Sequence, residues 1–97
     1  MIPEVEALAA EGKLSDMMTH WYEIRKQYPL EDHIIAYRLG DFYEMFYDDA
    51  KKASKLLGLT LTSRGKNETC APLAGIPYKA TQHFKSLLMQ GITVVVV

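Results

Sequence analysis

The last six residues of the chain constrain its fold more than any other segment. Residues 92–97 read Ile-Thr-Val-Val-Val-Val, an apolar and entirely β-branched run with one polar position. A strand without polar alternation is buried on both faces, as central strands are in sheets that helices cover on both sides. The run therefore predicts a central strand of an α/β fold. We also expect the natural chain to continue beyond Val97, since such a strand left at an edge promotes aggregation.

Length, composition and charge exclude several classes of protein. The 97 residues suffice for one small domain, and a hydrophobic share of 48% is typical of a globular chain. No apolar run reaches the roughly 18–20 residues that span a bilayer, and the N-terminus lacks the basic segment of a signal peptide. The single cysteine, Cys70, predicts no internal disulfide. Eleven basic and twelve acidic residues give a net charge of -1, so charge alone does not predict binding to nucleic acid.

Apolar spacing predicts three main helices beside the sheet. They cover residues 14–28, 48–57 and 80–90. In the first, Ser15 is the expected N-cap, and Pro29 ends the helix because it lacks an amide donor and disfavours a helical residue before it. Gly58 is expected to close the second. Residues 1–13 are acidic and alanine-rich, and form either a loose arm or a short helix.

Short apolar or alternating runs predict the remaining strands. They cover residues 34–39, 42–46, 59–63 and 72–78, the last being a short strand or an extended turn. Gly40 and Asp41 form a turn between the first two. Residues 64–71 are polar and are expected to form a loop.

Motifs that carry enzyme chemistry are not found in this sequence. The three histidines lie far apart, and no phosphate-binding loop, nucleophile elbow or Cys-x-x-Cys pair occurs. Asp48 and Asp49 are adjacent acids and allow a magnesium site, but acids at the start of a helix more often cap it and interact with its dipole. Cys70 has no histidine near it in sequence, which argues against a nucleophile. We therefore expect no catalytic residue and no metal or cofactor site in this chain.

An aromatic-rich strand, Phe42–Phe46, is the most distinctive feature of the chain. In an extended conformation Phe42, Glu44 and Phe46 project to one side and the intervening residues to the other. One face can then fill a core while the other faces outward. Composition alone favours core packing for such a strand, because aromatic side chains are mostly buried.

The residues around this strand resemble the MutS family of DNA mismatch-repair proteins. Residues 38–50, Arg-Leu-Gly-Asp-Phe-Tyr-Glu-Met-Phe-Tyr-Asp-Asp-Ala, are similar to the family's N-terminal signature with its Phe-x-Glu motif. Residues 59–65 and 73–78 are similar to two further family segments, and Met17-Met18 to the start of its first helix. Four blocks in the right order make this resemblance specific.

The resemblance implies that residues 14–97 are the mismatch-recognition domain, the first domain of MutS, with residues 1–13 as an N-terminal arm. It implies a central mixed sheet flanked by three main helices, an α/β or α+β-like fold. In the family, the matched phenylalanine enters the minor groove and stacks on a mispaired base, and the matched glutamate hydrogen-bonds to that base. Those roles would fall to Phe42 and Glu44.

The same resemblance sets the expected partners. They are mismatched double-stranded DNA, the remaining MutS domains, and a dimer partner held through domains absent here, with no membrane contact. ATP and magnesium would belong to the ATPase domain of the full-length parent, which would act in the cytoplasm on the nucleoid. This chain itself would not be an enzyme.

Arg64 and Lys66 are further candidates for the DNA-binding site, as contacts to backbone phosphates. An arginine after a strand is also commonly just solvated, and we leave both interpretations of this pair open. A protonated Glu44 would donate to a purine acceptor, whereas an ionised one would repel ordinary duplex. The alternative function is a protein interaction or scaffold domain that keeps the MutS fold without reading mismatches, and an independent hydrolase is a remote third.

Overall fold

The computed structural model describes residues 3–97, apart from the side chain of Glu68. The helices of this part are α1 (Pro3–Ala10), α2 (Asp16–Arg25), α3 (Asp48–Leu57) and α4 (Gln82–Met89), and a 3-10 turn covers Asn67–Thr69. The strands are β1 (His33–Leu39), β2 (Phe42–Phe46), β3 (Thr62–Arg64), β4 (Ala71–Pro77) and β5 (Thr93–Val96). They form one sheet in the order β3-β4-β2-β1-β5.

The sheet is mixed. β1 and β2 are antiparallel, β2 and β4 are antiparallel, and β3 pairs antiparallel with β4. β5 runs parallel to β1, after a crossover that contains α4. This architecture confirms the predicted mixed sheet flanked by helices, with α1 as a fourth helix in addition to the three predicted.

Helices cover both faces of the sheet. We call the side covered by α1 and α2 the front face and the side covered by α3 and α4 the back face. The front core consists of Val5, Met18, Trp21, Ile35, Phe46, Tyr47 and Ala71. The back core consists of Ile34, Met45, Ala50, Ala53, Ala74, Leu87 and Ile92. Because neighbouring strand residues alternate between the two lists, β1 and β2 each contribute to both cores.

The first predicted helix is confirmed at its start and ends earlier than predicted. The Ser15 side chain accepts a hydrogen bond from the Met18 amide at 3.2 Å, as an N-cap should. The helix ends at Arg25 and not at Tyr28. The Arg25 guanidinium donates to the backbone oxygens of Tyr28 and Pro29, at 3.1 and 2.9 Å, and so stabilises a turn in place of the last helical residues.

Residues 3–10 form a short helix, one of the two conformations left open for the N-terminal segment. Val5 is fully buried in the front core, and Leu8 is nearly so. Residues 1 and 2, which were also assigned to this arm, lie outside the described residues. The helix therefore packs on the sheet instead of forming a loose arm.

The predicted cap of α3 is wrong. Tyr47 occupies the N-cap position with a φ of 54° and makes no side-chain cap hydrogen bond, and Asp48 and Asp49 lie in the first turn. The Asp49 carboxylate instead accepts hydrogen bonds from Arg25 at 2.9 Å and from the amide of Ile35 at 3.1 Å. The buried Arg25 side chain and the Ile35 amide thus hold this carboxylate. Their hydrogen bonds connect α2 and β1 to α3. Gly58 closes the helix as predicted.

Two strand predictions are also wrong. In the sheet that residues 3–97 form, β5 lies at an edge, where Val96 is exposed, and not in the centre. An apolar run indicates that a strand packs between two layers of helices. It does not determine how many other strands it pairs with. The strand predicted at residues 59–63 is reduced to Thr62–Arg64, where all three side chains are exposed. Alternation of Leu and Thr does not by itself produce a half-buried strand, because strand formation depends on the surface against which the residues pack.

Candidate functional site

Strand β2 changes from exposed to buried along its length. Phe42, its first residue, is 47% exposed, whereas Met45 and Phe46 at its other end are fully buried on opposite faces. The expectation of one core face and one outward face is therefore wrong, because helices cover both faces at that end. Phe42 is the most exposed of the ten Phe, Tyr and Trp residues, all of which lie in the described part of the chain.

A tight hairpin turn places Phe42 at the end of the sheet. Leu39 pairs with Phe42, so only Gly40 and Asp41 connect β1 to β2. Gly40 has a φ of 58°, which a two-residue hairpin loop needs and which glycine adopts without steric cost. The Tyr78 amide donates to the backbone oxygen of Asp41 at 2.9 Å and ties this turn to the end of β4. The exposed ring therefore stands on a fixed part of the backbone.

Glu44 lies beside Phe42 on the front face. It pairs with Tyr37 on β1 and with Gly75 on β4. A Cβ atom placed on Gly75 would lie 3.7 Å from Glu44 Cγ and 3.8 Å from Phe42 Cδ1, so both side chains flank the bare backbone of this glycine. The Glu44 side chain is 19% exposed. The structure thus brings Phe42 and Glu44 together at one uncovered end of the front face.

Arg64 joins this group from β3. Its Nη1 atom lies 3.8 Å from Glu44 Oε2, and its side chain is about half exposed. The turn that follows requires glycine: Gly65 has a φ of 96°, and a Cβ atom there would lie 2.6 Å from the Thr69 backbone oxygen. Lys66 is exposed in that turn, and no hydrogen bond or ion pair of the described residues connects its side chain to Glu44.

An arginine and two tyrosines, to which the sequence analysis assigns no role of their own, brace the hairpin from the back face. The Arg38 guanidinium stacks over the Tyr78 ring at 4.0 Å and lies 5.7 Å from the Tyr43 ring. Its Nε atom donates to the Gly40 backbone oxygen at 2.6 Å. Tyr43 also contacts Phe84 of α4, with ring centroids 5.1 Å apart. These residues come from separate elements, so only the fold places them together.

A buried ion pair, also missed by sequence reasoning, lies at the far end of β1. Arg25 and Asp49 are 0% and 1% exposed. Burial raises the pKa of Asp49 to about 6, and the Arg25 charge and the Ile35 amide oppose part of that rise. The Arg25 guanidinium and the Ile35 amide both donate to Asp49 Oδ2, so this carboxylate stabilises the core. No cluster of three or more metal-ligating side chains occurs in the described part of the chain.

Comparison with known proteins decides the family. The family described as MutS domain I matches residues 15–97. The chain belongs to the MutS domain I family. This match includes every element from α2 to β5, together with Phe42, Glu44 and Arg64, and it confirms the resemblance and the fold class. No helix among residues 3–97 is long and apolar enough to cross a membrane.

Relatives named DNA mismatch repair protein MutS are similar to most of this MutS domain I. The protein of Leuconostoc citreum strain KM20 is 49% identical over 90 residues, which cover 89% of this chain and 10% of the relative. That of Leuconostoc mesenteroides is 52% identical over 83 residues (84% and 10%), and that of Streptococcus uberis 45% over 82 residues (84% and 9%). The chain therefore spans about a tenth of the length of these relatives.

Proposed function

We propose that this MutS domain I detects mispaired or unpaired bases in double-stranded DNA, with Phe42 as a wedge and Glu44 as a probe of the base. The single observation that carries the proposal is the exposure of Phe42. An aromatic ring that is 47% exposed adds little to a core, although the same strand buries Phe46 completely. The ring is also held at the sheet end by a tight turn, where it can meet a ligand.

The physical chemistry of a wedge suits mismatch detection. An apolar ring that enters between base steps from the minor groove unstacks them at a cost of roughly a few kcal/mol and kinks the duplex. Mispaired bases are held less firmly, so the cost is lower at a mismatch. The ring therefore responds to how easily the duplex deforms and not to its sequence.

Glu44 supplies the second half of the proposed reading. Its side chain lies on the same face as Phe42, and both flank Gly75. A wedge that enters the groove thus brings a carboxyl group with it. An ionised carboxylate repels intact duplex, and a protonated one donates a hydrogen bond to a base acceptor.

The wider role follows from the relatives. We infer that the chain works as one domain of a longer mismatch repair protein, with the remaining domains and a dimer partner supplying most of the hold on DNA. Its net charge of -1 supports this division, because few counterions are released by such a domain. ATP and magnesium are assigned to the remaining domains. A scaffold role without mismatch reading is the alternative, and the exposed Phe42 disfavours it.

The test uses a full-length MutS protein that carries this chain as its domain I, which we call the full-length carrier. Phe42→Ala should abolish the preference for mismatched over matched duplex, measured as the ratio of the two affinities at one salt concentration. Leu61→Ala is the matched control, since Leu61 is equally exposed at 46% but lies outside the site. An unchanged ratio in Phe42→Ala would refute the wedge.

A further inference from the structure

One oxygen of Glu44 lies in an unusual environment. Oε2 is buried and has no hydrogen-bond partner among the described residues. An unsatisfied buried oxygen that carries charge is costly unless an opposite charge lies close by. Among the described residues, the Arg64 guanidinium is a cation that lies close to it, at 3.8 Å. Arg64 is therefore placed to balance a charge on this oxygen.

The cross-strand neighbours of Glu44 do not offer a substitute. Gly75 has no side chain, and the Tyr37 hydroxyl is already engaged with His20 Nδ1 at 2.6 Å. Arg64 has an independent anchor, since it belongs to β3 and is followed by a turn that only glycine at position 65 allows. The backbone from which the guanidinium reaches Glu44 is thus held in place.

We propose that Arg64 is a positioning residue for Glu44, a proposal that rests on the function proposed above. It holds Oε2 inward over the sheet and leaves the other carboxylate oxygen to meet the base beside the Phe42 wedge. Glu44 then meets a mispaired base in one orientation, so that binding does not cost the conformational entropy of ordering a mobile side chain. Arg64 acts on mismatch preference through Glu44 and not through a contact of its own with the base.

A phosphate contact by Arg64 makes different predictions from a positioning role. Loss of a phosphate contact weakens binding to matched and mismatched duplex equally. It also lowers the magnitude of the slope of log affinity against log salt concentration by about one. Loss of a positioning residue changes the ratio of the two affinities. That change disappears when Glu44 no longer carries a charge for Arg64 to hold.

The experiment is a double-mutant cycle in the full-length carrier, with Arg64→Met, Glu44→Gln and the double variant, and with Lys55→Met, at an exposed lysine of α3, as the control. Affinities for one mismatched and one matched duplex are measured at several salt concentrations. We expect Arg64→Met to lower the mismatch preference about threefold, the size typical of a partly exposed ion pair. In the Glu44→Gln background the same substitution should leave the preference unchanged. Lys55→Met should not alter the preference in either background.

Contrary outcomes separate the two proposals. If the unmodified carrier shows no mismatch preference, the proposed function fails and the role of Arg64 falls with it. If the carrier discriminates but Arg64→Met weakens binding to both duplexes equally, Arg64 is a phosphate contact. If Arg64→Met lowers the preference by the same factor in the Glu44→Gln background, Arg64 acts independently of Glu44. Either result overturns only the positioning role. Arg64→Lys keeps the charge but not the planar fork, and should restore part of the preference lost in Arg64→Met.

Discussion

Phe42 and Phe46 are the same residue type on the same face of the same strand, four positions apart, yet one is 47% exposed and the other fully buried. Phe46 packs edge-on against Trp21 of α2, with ring centroids 5.7 Å apart, and Phe42 lies beside the bare backbone of Gly75. What differs is whether a helix covers that point of the strand. The buried end of β2 stabilises the fold, and the exposed end remains available for a ligand.

The largest expected effect is on stability and separates the two phenylalanines. Phe46→Ala removes a fully buried ring from the front core and should lower the free energy of unfolding by about 3–5 kcal/mol. Phe42→Ala removes a half-exposed ring and should cost less than about 1 kcal/mol. Urea unfolding of both variants measures the difference. Similar losses would mean that Phe42 belongs to the core.

The second prediction extends the comparison to carboxylates, with Asp49 in the core and Glu44 at the exposed end. The pKa of Asp49 rises from 3.8 to about 6 on folding. Between these values the folded chain binds more protons than the unfolded chain, so this contribution to stability is present at low pH and is lost as pH rises through about 6. The shift corresponds to about 3 kcal/mol.

The measurement is the free energy of unfolding from pH 4 to pH 7 for the unmodified chain and for Asp49→Asn. Since asparagine does not titrate, the stability of the unmodified chain relative to the variant should fall across this window. Parallel pH profiles would show that burial does not raise the pKa of Asp49.

The smallest of these effects concerns Glu44 and appears in DNA binding. Glu44→Gln in the full-length carrier removes a negative charge near the phosphates and should strengthen binding to matched duplex by about 1 kcal/mol. Binding to mismatched duplex should change less, because the amide replaces much of the hydrogen bond to the base. The mismatch preference therefore falls, mainly through a gain on matched DNA.

Glu44→Ala provides the contrast for this prediction. It also relieves the repulsion, but it leaves the base acceptor without a partner, at a cost of roughly 1–3 kcal/mol for a desolvated group. The mismatch preference should fall further than in Glu44→Gln. Equal losses on both duplexes in both variants would make Glu44 a residue that supports only the local fold.

The sequence predicted those parts of the fold that local patterns encode. The β1–β2 hairpin follows from two apolar runs around Gly40, and α3 follows from its apolar face and Gly58, so both were placed within a residue or two. Pairing between distant segments is not encoded in this way. β5 has the composition of a central strand, and its edge position depends on where the crossover through α4 returns to the sheet.

The candidate site was predictable in part, for the same reason. Phe42 and Glu44 belong to one contiguous motif, and spacing of two places them on one face. The exposure of Phe42 depends on helices that stop short of it, and the contact of Arg64 with Glu44 depends on β4 lying between β2 and β3. Arg25 lies within the helix predicted at residues 14–28, and nothing local indicates that its guanidinium turns toward Asp49.

The central claim is that Phe42 enters the duplex at a mismatch, and the bend of the bound DNA tests it most directly. A mismatched duplex labelled at both ends for energy transfer is bound at saturating concentration by the unmodified full-length carrier, by Phe42→Ala and by the Leu61→Ala control. The account predicts a kinked duplex with the unmodified protein and with Leu61→Ala, and a much straighter one with Phe42→Ala. An equal bend in all three complexes would contradict it.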